Sequence, residues 1–215
     1  MRPDLEIIAA LVNPGARVLD LGCGSGELLK WLAAEKGVNG YGIENDPKEI
    51  SACVRAGVNV IEHDLDEGLG RFPDSSFDMV VMTETLQAVA SPSELIDEML
   101  RIGQECVVTF PNFGHWRCRL HLAALGRMPV AGHLPHQWYD TPNIHLCTFH
   151  DFERLVTAKR LPIIERHVVN RDYRVQGRLN PLRNLFGTIA FYRLGRALPC
   201  EGQAPRAPRL RAPVT

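Results

Sequence analysis

The chain of 215 residues, 45% hydrophobic and 23% charged, is long enough to bury one sizeable core and has the composition of an ordinary globular domain. It contains no run of about 18 apolar residues, which excludes a transmembrane helix; its N-terminus goes straight into an amphipathic pattern, so no signal peptide is expected and the expected compartment is the cytoplasm. The formal charge of −1 hides an asymmetry: residues 1–165 carry 14 Lys and Arg against 23 Asp and Glu (net −9), residues 166–215 carry 10 against 2 (net +8). That basic end reads as arginines solvating a terminal hairpin and a loose tail rather than as a nucleic-acid stripe.

Taken in chain order, Pro3 to Leu11 has the apolar spacing of a short helix, followed by an Asn13-Pro14-Gly15 turn. Arg17–Leu21 is a short apolar strand that stops at glycines. Glu27 to Lys36 has helical spacing, with Gly37 placed to end it. Gly40–Glu44 is a second strand. A helix opened by Pro47 runs to about Ala56, and residues 58–61 form a third strand. Phe77 to Met82 is a continuous apolar run suited to a strand covered on both faces. Pro92 to Ile102 is a helix and Glu105 to Phe110 a fifth strand. Residues 113–148 break the rhythm with two tryptophans, a tyrosine and five histidines (115, 121, 133, 136, 145), and only His115 to Leu125 reads as helix. A helix from Asp151 to Arg160 and strands over 162–169 and 185–194 follow.

Strands alternating with helices of about ten residues specify βαβ units. The expected fold is an α/β, Rossmann-like, seven-stranded, mostly parallel sheet with helices on both faces, an antiparallel last strand and a helix/loop insertion after strand five. Residues 1–196 are expected to form one domain, with 113–148 as a lid or interface insertion and 197–215 as a flexible Pro/Arg-rich tail. The six cysteines (23, 53, 106, 118, 147, 200) include no C-x-x-C pair and are read as reduced thiols.

The chemistry concentrates at Val18-Leu19-Asp20-Leu21-Gly22-Cys23-Gly24-Ser25-Gly26, a strand running through a G-x-G-x-G loop into a helix. Glycines allow positive φ and let a ligand lie on bare backbone, and the helix N-terminus offers unpaired N–H groups. Glu44, about twenty positions on at the end of the second strand, is placed to accept hydrogen bonds from ribose hydroxyls, with Asn45 beside it. The acid at position 20, ahead of the first glycine, favours a nucleoside sulfonium over a dinucleotide. After strand three, Asp64 could accept from an adenine amino group while Leu65 packs on the ring, or simply cap a turn. After strand four, Thr83 reaches the same cleft, with Glu84 and Gln87 either pocket candidates or residues that start a helix. The cofactor set is thus Asp20, Gly22, Cys23, Gly24, Gly26, Glu44, Asn45, Asp64, Leu65 and Thr83. His133 and His136 lack the spacing and companions of a zinc site, so no metal is expected. His115, His136 and His145 could serve as general bases or pack in a lid or interface, and the packing reading is preferred. No catalytic residue is assigned.

Across residues 5–112 the chain resembles class I S-adenosylmethionine-dependent methyltransferases. Across about 1–196 it is similar to the methionine biosynthesis protein MetW family, on Thr85-Leu86-Gln87-Ala88-Val89, on Phe110 to Trp116, on Gly126-Arg127-Met128-Pro129-Val130 and on Trp138 to His145. The resemblance implies S-adenosylmethionine or S-adenosylhomocysteine as cofactor. It also implies a methyltransferase-like subunit that associates with and supports a homoserine O-acyltransferase; no nucleic-acid or membrane partner is expected. The alternative is a free-standing methyltransferase acting on a small molecule. The place after strand four lacks the Asn-Pro-Pro-Tyr used for exocyclic or amide nitrogens, so no acceptor class is assigned.

Overall fold

The computed structural model describes residues 3–169, 175–176 and 182–196. The tail expected over 197–215 lies outside them. The elements are α1 Pro3–Leu11, β1 Arg17–Leu21, α2 Glu27–Lys36, β2 Asn39–Glu44, α3 Pro47–Ala56, β3 Val60–Glu62, β4 Phe77–Thr83, α4 Pro92–Ile102, β5 Gly103–Pro111, α5 Trp116–Leu125, α6 Phe149–Ala158, β6 Ile163–Val169, β7 Val175–Gln176, α7 Arg183–Phe186 and β8 Ile189–Gly195.

They form one sheet, ordered β3-β2-β1-β4-β5-β8-β6-β7. The first five strands in that order are parallel, and β8 runs antiparallel between β5 and β6. This is the expected Rossmann-like sheet with an antiparallel last strand, widened at one edge by the two-residue β7. The pleat sends alternate residues to opposite faces. In β4, Val80 and Met82 join the core beneath α4 and α6, while Met79 and Val81 join the one beneath α1 and α2. The same alternation holds for Cys106 and Val107 in β5 and for Ala190 and Phe191 in β8. The apolar run that sequence shows in β4 is therefore a strand buried on both faces.

Local chemistry sets most boundaries. Gly37 ends α2 in the left-handed region, its N–H donating to Ala33 O. Asp46 caps α3 through Lys48 N, ahead of Pro47 at the first turn. Helix α6 begins two residues earlier than expected because Thr148 and Asp151 form a reciprocal capping box. The strand expected from 185 starts only at Ile189. Ahead of it, α7 is held by the buried Asn112 side chain, whose Nδ2 donates to Asn184 O and Gly187 O at 3.2 and 2.7 Å.

Glu153 on α6 joins this region to β8. Its carboxylate accepts from Arg183 at 2.7 Å and from the Tyr192 hydroxyl at 2.9 Å. Burial pushes its carboxyl up, and the hydrogen bonds from Arg183 and Tyr192 outweigh this, so it titrates below the usual carboxylate range. The folded value lies below the unfolded one, so the contribution is present above the unfolded value and is lost as pH falls through the folded one. Glu153→Ala should cost about 1.5–3 kcal/mol at neutral pH, the range for a hydrogen bond to a charged group. In thermal melts the gap between wild type and variant should narrow as pH drops below about 4; a gap unchanged with pH would contradict the assignment.

Candidate functional site

In an open α/β sheet, ligands bind outside the carboxyl ends of the strands where the strand order reverses. Here the chain leaves β1 towards β2 and β3, then returns to lay β4 on β1's other side. A crevice opens between the loops that follow β1 and β4. It is a cavity of about 300 Å³, at the lower end of the roughly 300–1,000 Å³ typical of small-molecule pockets.

The glycine loop meets it at Gly22. Gly22, Gly24 and Gly26 have φ of 71°, 53° and 76°. Gly22 N and Cys23 N donate to Ile43 O at 2.9 and 3.1 Å, which pins the loop to β2. A Cβ on Gly22 would lie 2.5 Å from Thr85 Oγ1. The position is closed to a side chain by conformation and by space, and the backbone there is left bare toward the crevice. Gly24 differs: the nearest atom to a Cβ would be Glu49 Oε2 at 3.9 Å, so only its positive φ demands glycine.

Glu44 ends β2 at the cavity wall, its carboxylate fixed by three backbone donors. Gly24 N gives to Oε2 at 2.8 Å; Asn45 N and Asp46 N give to Oε1 at 2.8 and 3.1 Å. A carboxylate has about four acceptor sites, so one remains on Oε2 for a ligand hydroxyl. Next to it lie Asn45, Asp64 and Leu65 from the expected set, with Ile43 and Val89 as further apolar wall. Asp64 also caps the 3-10 turn that follows, through Asp66 N at 3.0 Å. The turn-capping and cavity-lining readings thus coexist in one residue.

Five of the expected residues stand back from the cavity lining. Asp20 is buried within β1, behind the loop. Cys23 turns its thiol away: a Cβ on Gly42 would lie 2.3 Å from its Sγ, and Cys53 Sγ is 3.9 Å distant. Burial, with Asp20 next, pushes this thiol far above its usual range, so it packs rather than reacts. Gly24 and Gly26 shape the loop. Thr83 accepts the Thr85 hydroxyl at its carbonyl. The expected cofactor set leaves out Ile43, His63, Asp66, Thr85, Ala88 and Val89, all of which line the cavity. Their signal is weak because three of them sit in a 3-10 turn beyond β4 whose position depends on long-range bonds. Ala90 N donates to Asp66 Oδ1 at 2.8 Å, which closes the crevice between the two turns.

That turn after β4 also anchors the 113–148 segment. Gln87 O accepts from Ile144 N and His145 N at 2.9 and 3.0 Å, and His145 Nε2 contacts Ala90 O at 3.3 Å. Glu84 begins the turn at a φ of 51°, its N–H held by Thr109 O at 3.0 Å. Glu84 and Gln87, the pocket candidates, do not line the cavity, nor do the five histidines of 113–148. His115 instead caps α5, its Nδ1 accepting from Arg117 N. No group of three or more His, Cys, Asp and Glu among the described residues is placed to hold a metal.

Among the described residues the lining includes the acids Glu44, Asp64 and Asp66 and no Lys or Arg. Such a cavity repels a pyrophosphate and accommodates a cationic nucleoside.

Sheet order and crevice define a chain of the S-adenosylmethionine-dependent methyltransferase fold. Solved structures agree on that fold: an S-adenosylmethionine-dependent methyltransferase from Mesorhizobium loti matches with a TM-score of 0.66 and 18% identity, over 90% of this chain and 98% of that one. Phosphoethanolamine N-methyltransferase 2 of Haemonchus contortus, in complex with S-adenosyl-L-methionine, matches with a TM-score of 0.66 and 14% identity, over 91% and 52%. Within this fold the chain belongs to the MetW family, described as methionine biosynthesis protein MetW, whose profile matches residues 2–194. It is 35% identical over 205 residues to the bifunctional methionine biosynthesis protein MetXA/MetW of Rhodopirellula baltica, covering 90% of this chain and 33% of that protein. The chain thus spans about a third of the length of that relative.

Gly22→Ala should abolish binding of S-adenosylhomocysteine measured by calorimetry and lower the melting temperature, because its Cβ meets Thr85 at a positive φ; retained binding would contradict the close approach. Glu44→Ala should weaken that binding by about 1.5–3 kcal/mol, or roughly 10- to 150-fold. Unchanged affinity in Glu44→Ala would place the ribose contact elsewhere.

Proposed function

We propose that the chain is an S-adenosylmethionine-binding, methyltransferase-like subunit of methionine biosynthesis that associates with a homoserine O-acyltransferase and supports its activity in the cytoplasm. The observation that carries the cofactor assignment is the crevice with three carboxylates and, among the described residues, no Lys or Arg beside the bare backbone of Gly22. It suits a sulfonium nucleoside that brings no phosphate. Glu44 would hold the ribose, Leu65 and Val89 would flank the base with Asp64 at its edge, and the Gly22 backbone would lie along the rest. When bound, S-adenosylmethionine supplies an already activated methyl group, so a protein using it needs chiefly to align an acceptor and, for some acceptors, to take up a proton.

Two observations favour a supporting subunit over a free-standing methyltransferase. None of the histidines of 113–148 that could serve as a base lines the cavity, and His63, which does, has its Nε2 against Gly68 O at 2.7 Å. In the Rhodopirellula relative, a chain similar to this one is part of a longer protein whose name joins MetXA to MetW.

The test is to co-express the chain with the homoserine O-acyltransferase of the same genome and assay acyl transfer with and without it. A stoichiometric complex and higher acyltransferase activity per subunit are expected, along with binding of S-adenosylmethionine and S-adenosylhomocysteine but not of NAD. No complex and unchanged activity would refute the partnership. Radiolabelled methyl passing from S-adenosylmethionine to a small-molecule fraction of a cell extract would favour the free-standing enzyme.

A further inference from the structure

Helices in proteins owe most of their stability to packing an apolar face. Helix α5 does little of this. Cys118 is its one buried residue, while Leu120 and Leu125 are 59% and 61% exposed. The segment beyond it continues the pattern, with Trp138 and Tyr139 at 73% and 71%. Within that segment a second cavity of about 150 Å³ is walled by Met128, Leu134, Trp138 and Ile144, and Cys118 of α5 meets the segment at His133, Sγ to Nε2 3.7 Å. Ten of the fifteen large hydrophobic side chains exposed among the described residues lie between Trp116 and Leu146. Single exposed hydrophobics need no explanation, but a contiguous set marks an interaction site.

The charges are equally one-sided. From residue 117 to residue 146 the sequence has no Glu or Lys and a single Asp, the exposed Asp140, against Arg117, Arg119 and Arg127. Arg117 lies over the Trp116 ring at 5.3 Å. Aromatic residues, Met and Arg enriched with Lys, Asp and Glu depleted is the composition of a protein interface core. The segment is also held in place: besides the bonds to Gln87 O, Phe113 N donates to Cys147 O at 3.0 Å, and Arg119 Nε to Gly114 O at 2.6 Å.

We propose that α5 and residues 126–146 form the face on which the homoserine O-acyltransferase docks, through an apolar patch on that enzyme bordered by Asp and Glu. This rests on the partnership proposed above and assigns it a surface. The relative that carries a MetW portion within one longer chain fits a partner of protein rather than lipid, and the arginines require an acidic border on it.

The test uses the full chain and the acyltransferase of the same genome, with affinity measured by calorimetry. Leu125→Ser/Trp138→Ser should weaken the complex by about tenfold or more, with the melting temperature and the affinity for S-adenosylhomocysteine preserved. Arg127→Glu should weaken it in the same direction and reduce its salt dependence. Val54→Ser, at an equally exposed apolar position on α3, should leave it unchanged. Wild-type affinity in the double variant would overturn the surface while leaving the partnership intact, whereas a wild-type chain that forms no complex would overturn both. Self-association of the wild-type chain, or its binding to phosphatidylserine vesicles, if lost in the double variant, would give the face to another occupant and also overturn the proposal.

Discussion

Gly22 sits where β1 and β4 diverge at the carboxyl edge of the sheet, and there is no room for a side chain between it and Thr85. Everything at the site follows from that close approach. It requires parallel β1 and β4 in register, Leu21 opposite Met82, with the two loops leaving in different directions. The register in turn depends on residues buried on both faces, since a slip by one would exchange the two cores. The glycine loop is therefore more than a local motif. It is the point at which burial of Val18, Leu19, Val80 and Val81 fixes how near two loops come.

Glu44 adds the second constraint. Its three backbone donors tie the loop after β1 to the turn after β2 before any ligand arrives. The carboxylate is pre-organised, and binding does not have to pay for ordering it. The same bonds give the residue a structural share: an alanine there frees Gly24 N, Asn45 N and Asp46 N as well as removing the acceptor proposed for the ribose. Glu44→Gln, which keeps an acceptor oxygen, separates the two contributions better than truncation.

How much of this was legible in the sequence divides along local and non-local lines. The strands, the glycine loop, Glu44, Gly37 and the helix from Pro92 to Ile102 are written in short-range chemistry: periodicity, punctuation and caps. The cavity wall made by Thr85, Ala88 and Val89 is not, because nothing within that hexapeptide says that Asp66 will take Ala90 N or that Gly22 will face Thr85. Likewise the strand expected from 185 shows apolar residues of the right type, but Asn112, more than seventy positions away, claims the carbonyls of Asn184 and Gly187 and holds a helical turn there. Cys23 shows the opposite failure. Its place in the motif is correct, and only the packing against Gly42 and Cys53 reveals that its side chain points away from the crevice.

The turn from Thr85 to Ala90 belongs to both halves of the molecule. Its side chains wall the cofactor crevice, and its backbone carbonyls at Gln87 and Ala90 hold Ile144 and His145, which lead into the apolar face. A rigid turn would make the two sites thermodynamically independent. A turn that shifts when the crevice fills would displace the segment bearing Trp138 and Tyr139, and linkage then obliges a protein docked on that face to change cofactor affinity by the same factor. The strained Glu84, at a φ of 51° at the start of the turn, is the place where two arrangements would differ least in energy, since relief of strain offsets part of the cost of moving. Coupling between cofactor and partner, if the complex has it, therefore needs no pathway through the core. It needs only the turn that walls the crevice with Thr85, Ala88 and Val89 and holds residues 144 and 145 through Gln87 and Ala90.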